Sequence, residues 1–156
     1  MAGDVEEIMK AVPVQRNNSR AVAAGVIGEW LETGAFPDRL IESVEADRAF
    51  VMEVAYGIAR WKRALEWFVK RSAKRPPDRE IRPFLFVGLY QILLMDRIEE
   101  YAAVNETVEA VKSAGFPHAV AFVNVLICEF KAFSLLCLYM QQHRFFNIFY
   151  VFQCRD

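Results

Sequence analysis

The stretch REIRPFLFVGLYQILLMD, Arg79–Asp96, places apolar side chains on nearly every side of a helical projection. A helix that is apolar all round belongs at the centre of a domain, because a surface helix carries a single apolar stripe. Pro83 is tolerable only in the first turn, where its missing amide hydrogen has no intrahelical acceptor to lose. The pattern predicts a central helix over about Arg82–Asp96, with the other elements packed around it.

On its N-terminal side KRPPD, Lys74–Asp78, must interrupt any helix. Pro76 and Pro77 remove two amide donors, and the residue before a proline is pushed out of the α region. Upstream of that break, EADRAFVMEVAYGIARWKRALEWFVKRSA, Glu45–Ala73, is the longest periodic run in the chain. Phe50, Val54, Ile58, Trp61, Leu65, Phe68 and Val69 recur at three- and four-residue intervals, which predicts one long helix or two joined at Gly57. Earlier still, QRNNS at Gln15–Ser19 supplies N-cap candidates. Val22, Val26, Trp30 and Ala23, Ile27, Leu31 then repeat every fourth residue, and Gly34 stands where a left-handed C-terminal residue is wanted. That helix spans about Arg20–Thr33, and Pro37-Asp38 opens a short second one through Ser43. Residues 1–16 read as a leader without clear periodicity.

On the C-terminal side, YAAVNETVEAVKSAG, Tyr101–Gly115, gives a further helix, and Pro117 opens the last one, to about Phe130. These two helices carry the pairs Val104-Asn105 and Val123-Asn124. Asparagine is a poor helix former whose amide competes for backbone hydrogen bonds, so a local use for both is expected. No segment alternates with period two for long, and the hairpin dipeptides Asn-Gly and Asp-Gly are absent. The fold class is all-α, a bundle of six or seven helices over residues 17–130. Residues 131–156 change character: aromatics crowd in and charges almost vanish. They read as an atypical tail that is not native to the domain, as an extra helix from Ser134 to about His143, or as an ordinary C-terminal helix pair.

At 156 residues with 54% hydrophobic and 25% charged residues, the chain can bury one core without disulfides or metals. Its net charge of -1 excludes an overall basic or acidic partner preference, so only local charge is informative. The N-terminus carries acids where a signal peptide needs positive charge, and no apolar run approaches the roughly 20 residues of a spanning helix. A cytoplasmic protein without a membrane segment is expected. Cys128, Cys137 and Cys154 lack C-x-x-C or Cys/His spacing, so no metal site is signalled.

Catalytic motifs are missing in the same way. The sequence has no G-x-G-x-x-G, no G-x-x-x-x-G-K-[ST] and no H-E-x-x-H, and neither His118 nor His143 accompanies a nucleophile motif. The adjacent acids Glu6-Glu7 and Glu99-Glu100 point apart and read as solvated faces. No enzyme activity and no cofactor are expected of the chain itself.

The basic residues say more. ARWKRALEWFVKRSAKR, Ala59–Arg75, sets seven bases against the single acid Glu66. Arg63, Lys70 and Lys74 fall at i, i+7 and i+11, on one helix face, while Trp61, Leu65 and Phe68 turn toward the core. Such a stripe can track phosphates and release their counterions. A solvated helix face with basic residues near its C-terminus accounts for the same pattern. Arg16 and Arg20 form a second cationic spot beside Asn17, Asn18 and Ser19, at a helix N-terminus where the dipole favours anions rather than cations.

Taken together, SRAVAAGVIGEW, DRAFVMEVAYGIARWKRALEWFV, RPFLFVGLYQILLMDRIEEYAAVNETVEAVK and FVNVLI resemble the NusB-like RNA-binding domain. The likeness is strongest to the version found at the N-terminus of the Sun family of ribosomal RNA 5-methylcytosine methyltransferases. It rests on an ordered set: Asp47-Arg48, Tyr56-Gly57, Arg60-Trp61, Leu65-x-Trp67, Gly88-Leu89-Tyr90-Gln91, Asp96-Arg97-Ile98, Val104-Asn105-Glu106 and Val123-Asn124. The resemblance implies a helical bundle that binds ribosomal RNA, with a ribosomal protein as a further partner. It implies a structural role for Asn105 and Asn124, bonded to neighbouring backbone or to each other, and RNA contact at Arg20, with Arg16 preceding it in the same region. The family's full-length members continue into an S-adenosylmethionine-binding domain with a Gly-rich loop and a Pro-Cys motif, and this chain carries neither. It looks like the recognition domain without its enzyme. A transcription antitermination factor of the NusB type and a protein-interaction module without RNA binding are the alternatives.

Overall fold

A computed structural model describes residues 18–130 apart from 36, 43, 45, 46 and 96. The described residues are helices and their connections: α1 (Ser19–Thr33), α2 (Pro37–Ile41), α3 (Arg48–Ser72), α4 (Arg82–Leu94) and α5 (Glu100–Ser113). A 3-10 turn over Pro117–Ala119 leads into α6, residues 120–130. The leader, Arg16 within it and the aromatic tail lie outside the described residues. No helix among those described is long and apolar enough to cross a membrane.

Local chemistry sets the helix ends. Asn18 caps α1, its side-chain oxygen accepting from the amides of Arg20 at 3.0 Å and Ala21 at 3.3 Å. Gly34, at φ 70°, closes the helix with its N–H on the Trp30 carbonyl. The Asp47 carboxylate accepts from the Phe50 amide and starts α3. This helix runs without a break through Gly57 to Ser72, where Ala73 turns extended ahead of the two prolines.

α4 is the axis, as its sequence predicts. Every residue from Pro83 to Gln91 is buried, and the helix packs against α1, α3 and α5. Two glycines make that crowding possible. On α3, a Cβ at Gly57 would lie 2.0 Å from Cζ of Tyr90, so the phenol ring lies directly on the α3 backbone. On α4, a Cβ at Gly88 would meet Ile127 of α6 at 2.6 Å and Thr107 of α5 at 3.1 Å. α6 is further anchored by Phe130, whose ring meets Phe68 of α3 edge-on. Tyr90 is held in its protonated form: burial and then Glu53 push its phenol up, with Arg60 partly opposing.

The polar exceptions within this core form one network. Gln91 and Thr107 are the buried polar residues among those described, both at 0% exposure. The Gln91 amide nitrogen donates to the Val87 carbonyl at 3.0 Å and to the Thr107 hydroxyl at 3.4 Å. Thr107 donates in turn to the Ala103 carbonyl at 2.7 Å. Among the described residues no buried side-chain nitrogen or oxygen is left without a partner.

Two outcomes follow for stability. Gly57→Ala gains about 1 kcal/mol of helix propensity but must displace the Tyr90 ring from a buried contact, an overpacking cost of about 1–3 kcal/mol. Urea denaturation should show a net loss, and an unchanged or raised midpoint would contradict the Gly57–Tyr90 contact. Glu29, on α1, has its carboxyl pushed above the ordinary value by burial and then by Glu32. A raised carboxyl means that ionisation is harder in the folded chain, so the destabilisation is complete above the folded pKa and vanishes below the unfolded one. Glu29→Gln should therefore raise the Tm at neutral pH, and the gain should disappear on acidification through the carboxyl range.

Candidate nucleic-acid interface

The second half of α3 divides its residues cleanly between two faces. Ile58, Leu65, Phe68 and Val69 are buried against the core, while Arg60, Arg63, Trp67, Lys70 and Arg71 are exposed. At 3.6 residues per turn these five exposed positions fall within an arc of roughly 100°, along about 16 Å of helix. Lys70 and Arg71 occupy the last turn, where the helix dipole favours cations. The one acid of the segment, Glu66, is turned aside to pair with Lys62 at 3.5 Å. Lys62 also sits over the Trp30 ring at 5.9 Å. Among the described residues, none forms an ion pair with Arg63 or Lys70. The outward face of α3 is thus a strip of uncompensated positive charge with an indole at its middle.

Lys74 belongs to this surface in a different way from the one its spacing predicts. α3 ends at Ser72 and Ala73 is extended, so Lys74 lies on the following connection rather than on the helix face of Arg63 and Lys70. The physical reason is the Pro76-Pro77 pair, which ends the helix before the register reaches Lys74. Lys74 and Arg75 are both exposed and prolong the basic strip beyond the helix end.

Arg20 is also placed differently. Its side chain is only 18% exposed. Its Nε donates to the Gln91 amide oxygen at 3.1 Å, an η-nitrogen pairs with the Glu106 carboxylate, and its guanidinium lies 4.9 Å from the centre of the Phe50 ring. One residue of α1 therefore grips α3, α4 and α5 together. Asn18, beside it, spends its amide oxygen on the helix cap. Arg20 is thus a tie within the bundle, not a free cation.

The two asparagines do not make the expected bonds to neighbouring backbone or to each other among the described residues. Asn105 and Asn124 are both exposed, and the Asn124 side-chain oxygen accepts from the Cys128 thiol at 3.6 Å. The buried polar work falls to Gln91 and Thr107 instead. Gln91 is the lone polar residue within PFLFVGLYQILLM, and a buried amide always needs a partner; that signal was present in the sequence. Thr107 and Glu106 gave none, because their roles depend on α5 lying against α1 and α4. Trp67 was legible as part of the Leu65-x-Trp67 motif, but its 44% exposure was not read from the sequence.

Comparison with known proteins places this geometry. The NusB family matches residues 17–127. Ribosomal RNA small subunit methyltransferase B of Salmonella arizonae is 29% identical over 125 residues, 75% of this chain and 29% of that protein. The proteins of the same name from Salmonella heidelberg and Salmonella agona match to the same extent. The chain spans less than a third of the length of these curated relatives.

The two kinds of cation separate by experiment. Arg20→Ala removes the donor to a fully buried amide oxygen, and leaving such an acceptor unsatisfied costs about 1–3 kcal/mol. The Glu106 pair is half exposed on its acidic side and adds little to that. Arg63→Ala should stay within about 0.5 kcal/mol, as an exposed surface change does. Denaturant-derived unfolding free energies for the two variants check the contrast, and equal values would contradict the role of Arg20 as a tie.

Proposed function

The chain belongs to the NusB family, and we propose that it is an RNA-binding domain whose contact surface is the outward face of α3 with the connection that follows. The observation that carries this is the exposed cluster of Arg63, Lys70 and Lys74, with Arg60 and Arg71 beside them, in a chain of net charge -1. Local positive charge against an otherwise acidic balance is an electrostatic footprint for a polyanion. Cations whose charge no carboxylate neutralises are free to displace the counterions condensed on phosphates, which is where the bulk of such affinity arises. Arg20 enters this reading in a lesser role, being committed to Gln91 and Glu106, so that any contribution it makes to RNA passes through the shape of the α1 end of the bundle; Arg16 stays a proposed phosphate contact in the same region.

The target class follows from the relatives. Their name makes them ribosomal RNA methyltransferases of the small subunit, so we take ribosomal RNA as the ligand. Recognition is assigned to this chain and methyl transfer to a catalytic domain of the 5-methylcytosine type working with it. A ribosomal protein as a second partner fits the same family and would meet a different face. A cytoplasmic location, where ribosomal RNA is processed, belongs to the same proposal.

The test is a gel shift with a small ribosomal RNA hairpin across a range of salt. The unmodified chain should bind with an affinity that falls linearly on a logarithmic salt scale. Replacing Arg63, Lys70 and Lys74 with alanine should lower the magnitude of that slope by roughly 0.7 per lost contact on a single strand, with thermal stability nearly unchanged. Identical affinity and slope in the triple variant would sink the assignment of RNA to this surface.

A further inference from the structure

Glu66 is the one acid among the bases of α3 from Arg60 to Arg71, and its position gives it a choice of cationic partners. Lys62 stands four residues before it, Arg63 three before and Lys70 four after, all neighbours on a helix surface. It pairs with Lys62, Nζ to Oε1 at 3.5 Å, and no ion pair among the described residues involves Arg63 or Lys70. That choice runs against the intrinsic preference of a helix. An i,i+4 pair is better with the acid on the N-terminal side, which favours Glu66 with Lys70 over Lys62 with Glu66. The tertiary structure supplies a bias the other way. Nζ of Lys62 also lies 5.9 Å from the centre of the Trp30 ring on α1, at the reach of a cation–π contact. Trp30 is packed against the core, so its ring is a fixed point. Lys62 is held between a carboxylate and an indole, and Lys70 is left exposed with its charge unneutralised.

We propose that Lys62 is a positioning residue for the RNA surface of α3: braced on Trp30, it draws Glu66 away from Lys70 and Arg63 and so keeps those two cations available to phosphates. This rests on the RNA-binding reading above and adds to it a residue that acts without touching RNA. The Glu66 carboxylate is the element with two arrangements. Paired back to Lys62, it leaves the strip positive. Paired forward to Lys70, it would neutralise the strip at its middle, and a phosphate would have to displace the carboxylate before binding. Charge count does not distinguish the arrangements, because both contain the same bases and the same acid. A simple charge effect and this one part ways at Glu66: the loss of Lys62 matters only while residue 66 is an acid.

The experiment is a double-mutant cycle on the full chain, with Lys62→Met, Glu66→Gln and the two combined, using the ribosomal RNA hairpin across a range of salt. Methionine keeps an apolar stem beside Trp30 and removes the charge. Lys62→Met should weaken binding by about 2- to 5-fold at low salt, the scale on which an exposed ion pair can hold a cation. It should also lower the magnitude of the salt slope by up to roughly 0.7. With Glu66→Gln in place, the same substitution should change affinity by less than about 1.5-fold and leave the slope as it was. Equal losses in both backgrounds would make Lys62 an ordinary phosphate contact and overturn the proposal, as would no loss with Glu66 present. Trp30→Leu changes no charge and should weaken binding in the same direction, measured well below its own melting temperature, again only with Glu66 in place. Unchanged affinity in that variant overturns the bracing role of Trp30. The pairing itself is read without RNA, from the Lys70 Cε resonance. That resonance should ignore Glu66→Gln in the unmodified chain and shift with it once Lys62 is replaced, and an equal response with and without Lys62 overturns the proposal. Failure of the unmodified chain to bind RNA overturns the RNA-binding reading and this proposal with it, whatever the resonance shows of the pairing.

Discussion

The burial of α4 from Pro83 to Gln91 is the constraint from which the rest of the bundle follows. Over those residues, packed among α1, α3, α5 and α6, the helix offers no face on which a misfit can be absorbed by solvent. Protein interiors are packed as tightly as organic crystals, so each neighbour must supply a surface that matches. Gly57 does so by presenting bare backbone to the Tyr90 ring, and Gly88 by admitting Ile127 and Thr107. Both glycines lower intrinsic helix stability, a loss of about 1 kcal/mol each relative to alanine, and tertiary packing outweighs it.

The same burial governs the polar groups. Gln91 sits at the level where α4 passes α1 and α5, and its amide has two donors and an acceptor to satisfy without water. Val87 and Thr107 take the donors, and Arg20 supplies the acceptor's partner. Arg20 can serve because a guanidinium offers several donors in a rigid fork and is weakly hydrated for a cation, so it survives partial burial beside Phe50 and Glu106. The bundle thereby acquires a directional contact among four helices that apolar packing alone would not orient.

Sorting the cations by what they touch clarifies where a polyanion could bind. Arg20, Lys62, Arg79 and Lys112 are each paired with a glutamate, at Glu106, Glu66, Glu32 and Glu109 respectively. Arg63 and Lys70 have no such partner among the described residues and share a face with Trp67. Charge count alone would have ranked Arg20 with them. The distinction lies in desolvation: a cation already bound to protein acceptors must break those bonds before it can meet a phosphate, while an exposed one exchanges only water. An RNA surface on the outward face of α3, as proposed, would break no ion pair of Arg63 or Lys70 with the described residues.

The helices themselves were legible in the sequence because their signals are local. Periodicity marked α1 and α3, the all-round apolar character of Arg82–Leu94 marked the axis, and Asn18, Gly34 and the Pro76-Pro77 pair marked ends, since caps and prolines act through backbone hydrogen bonds within a few residues. The family's motifs were visible for the same reason, as ordered residues along the chain. What only the tertiary structure decided is which polar and charged groups face inward. Arg20 became a tie, Asn105 and Asn124 stayed at the surface, Gln91 and Thr107 became the buried pair, and Trp67 turned out to solvent. Each of these depends on the rotation of one helix against another, and a few tens of degrees about a helix axis moves a side chain from core to surface without altering the local pattern that specifies the helix.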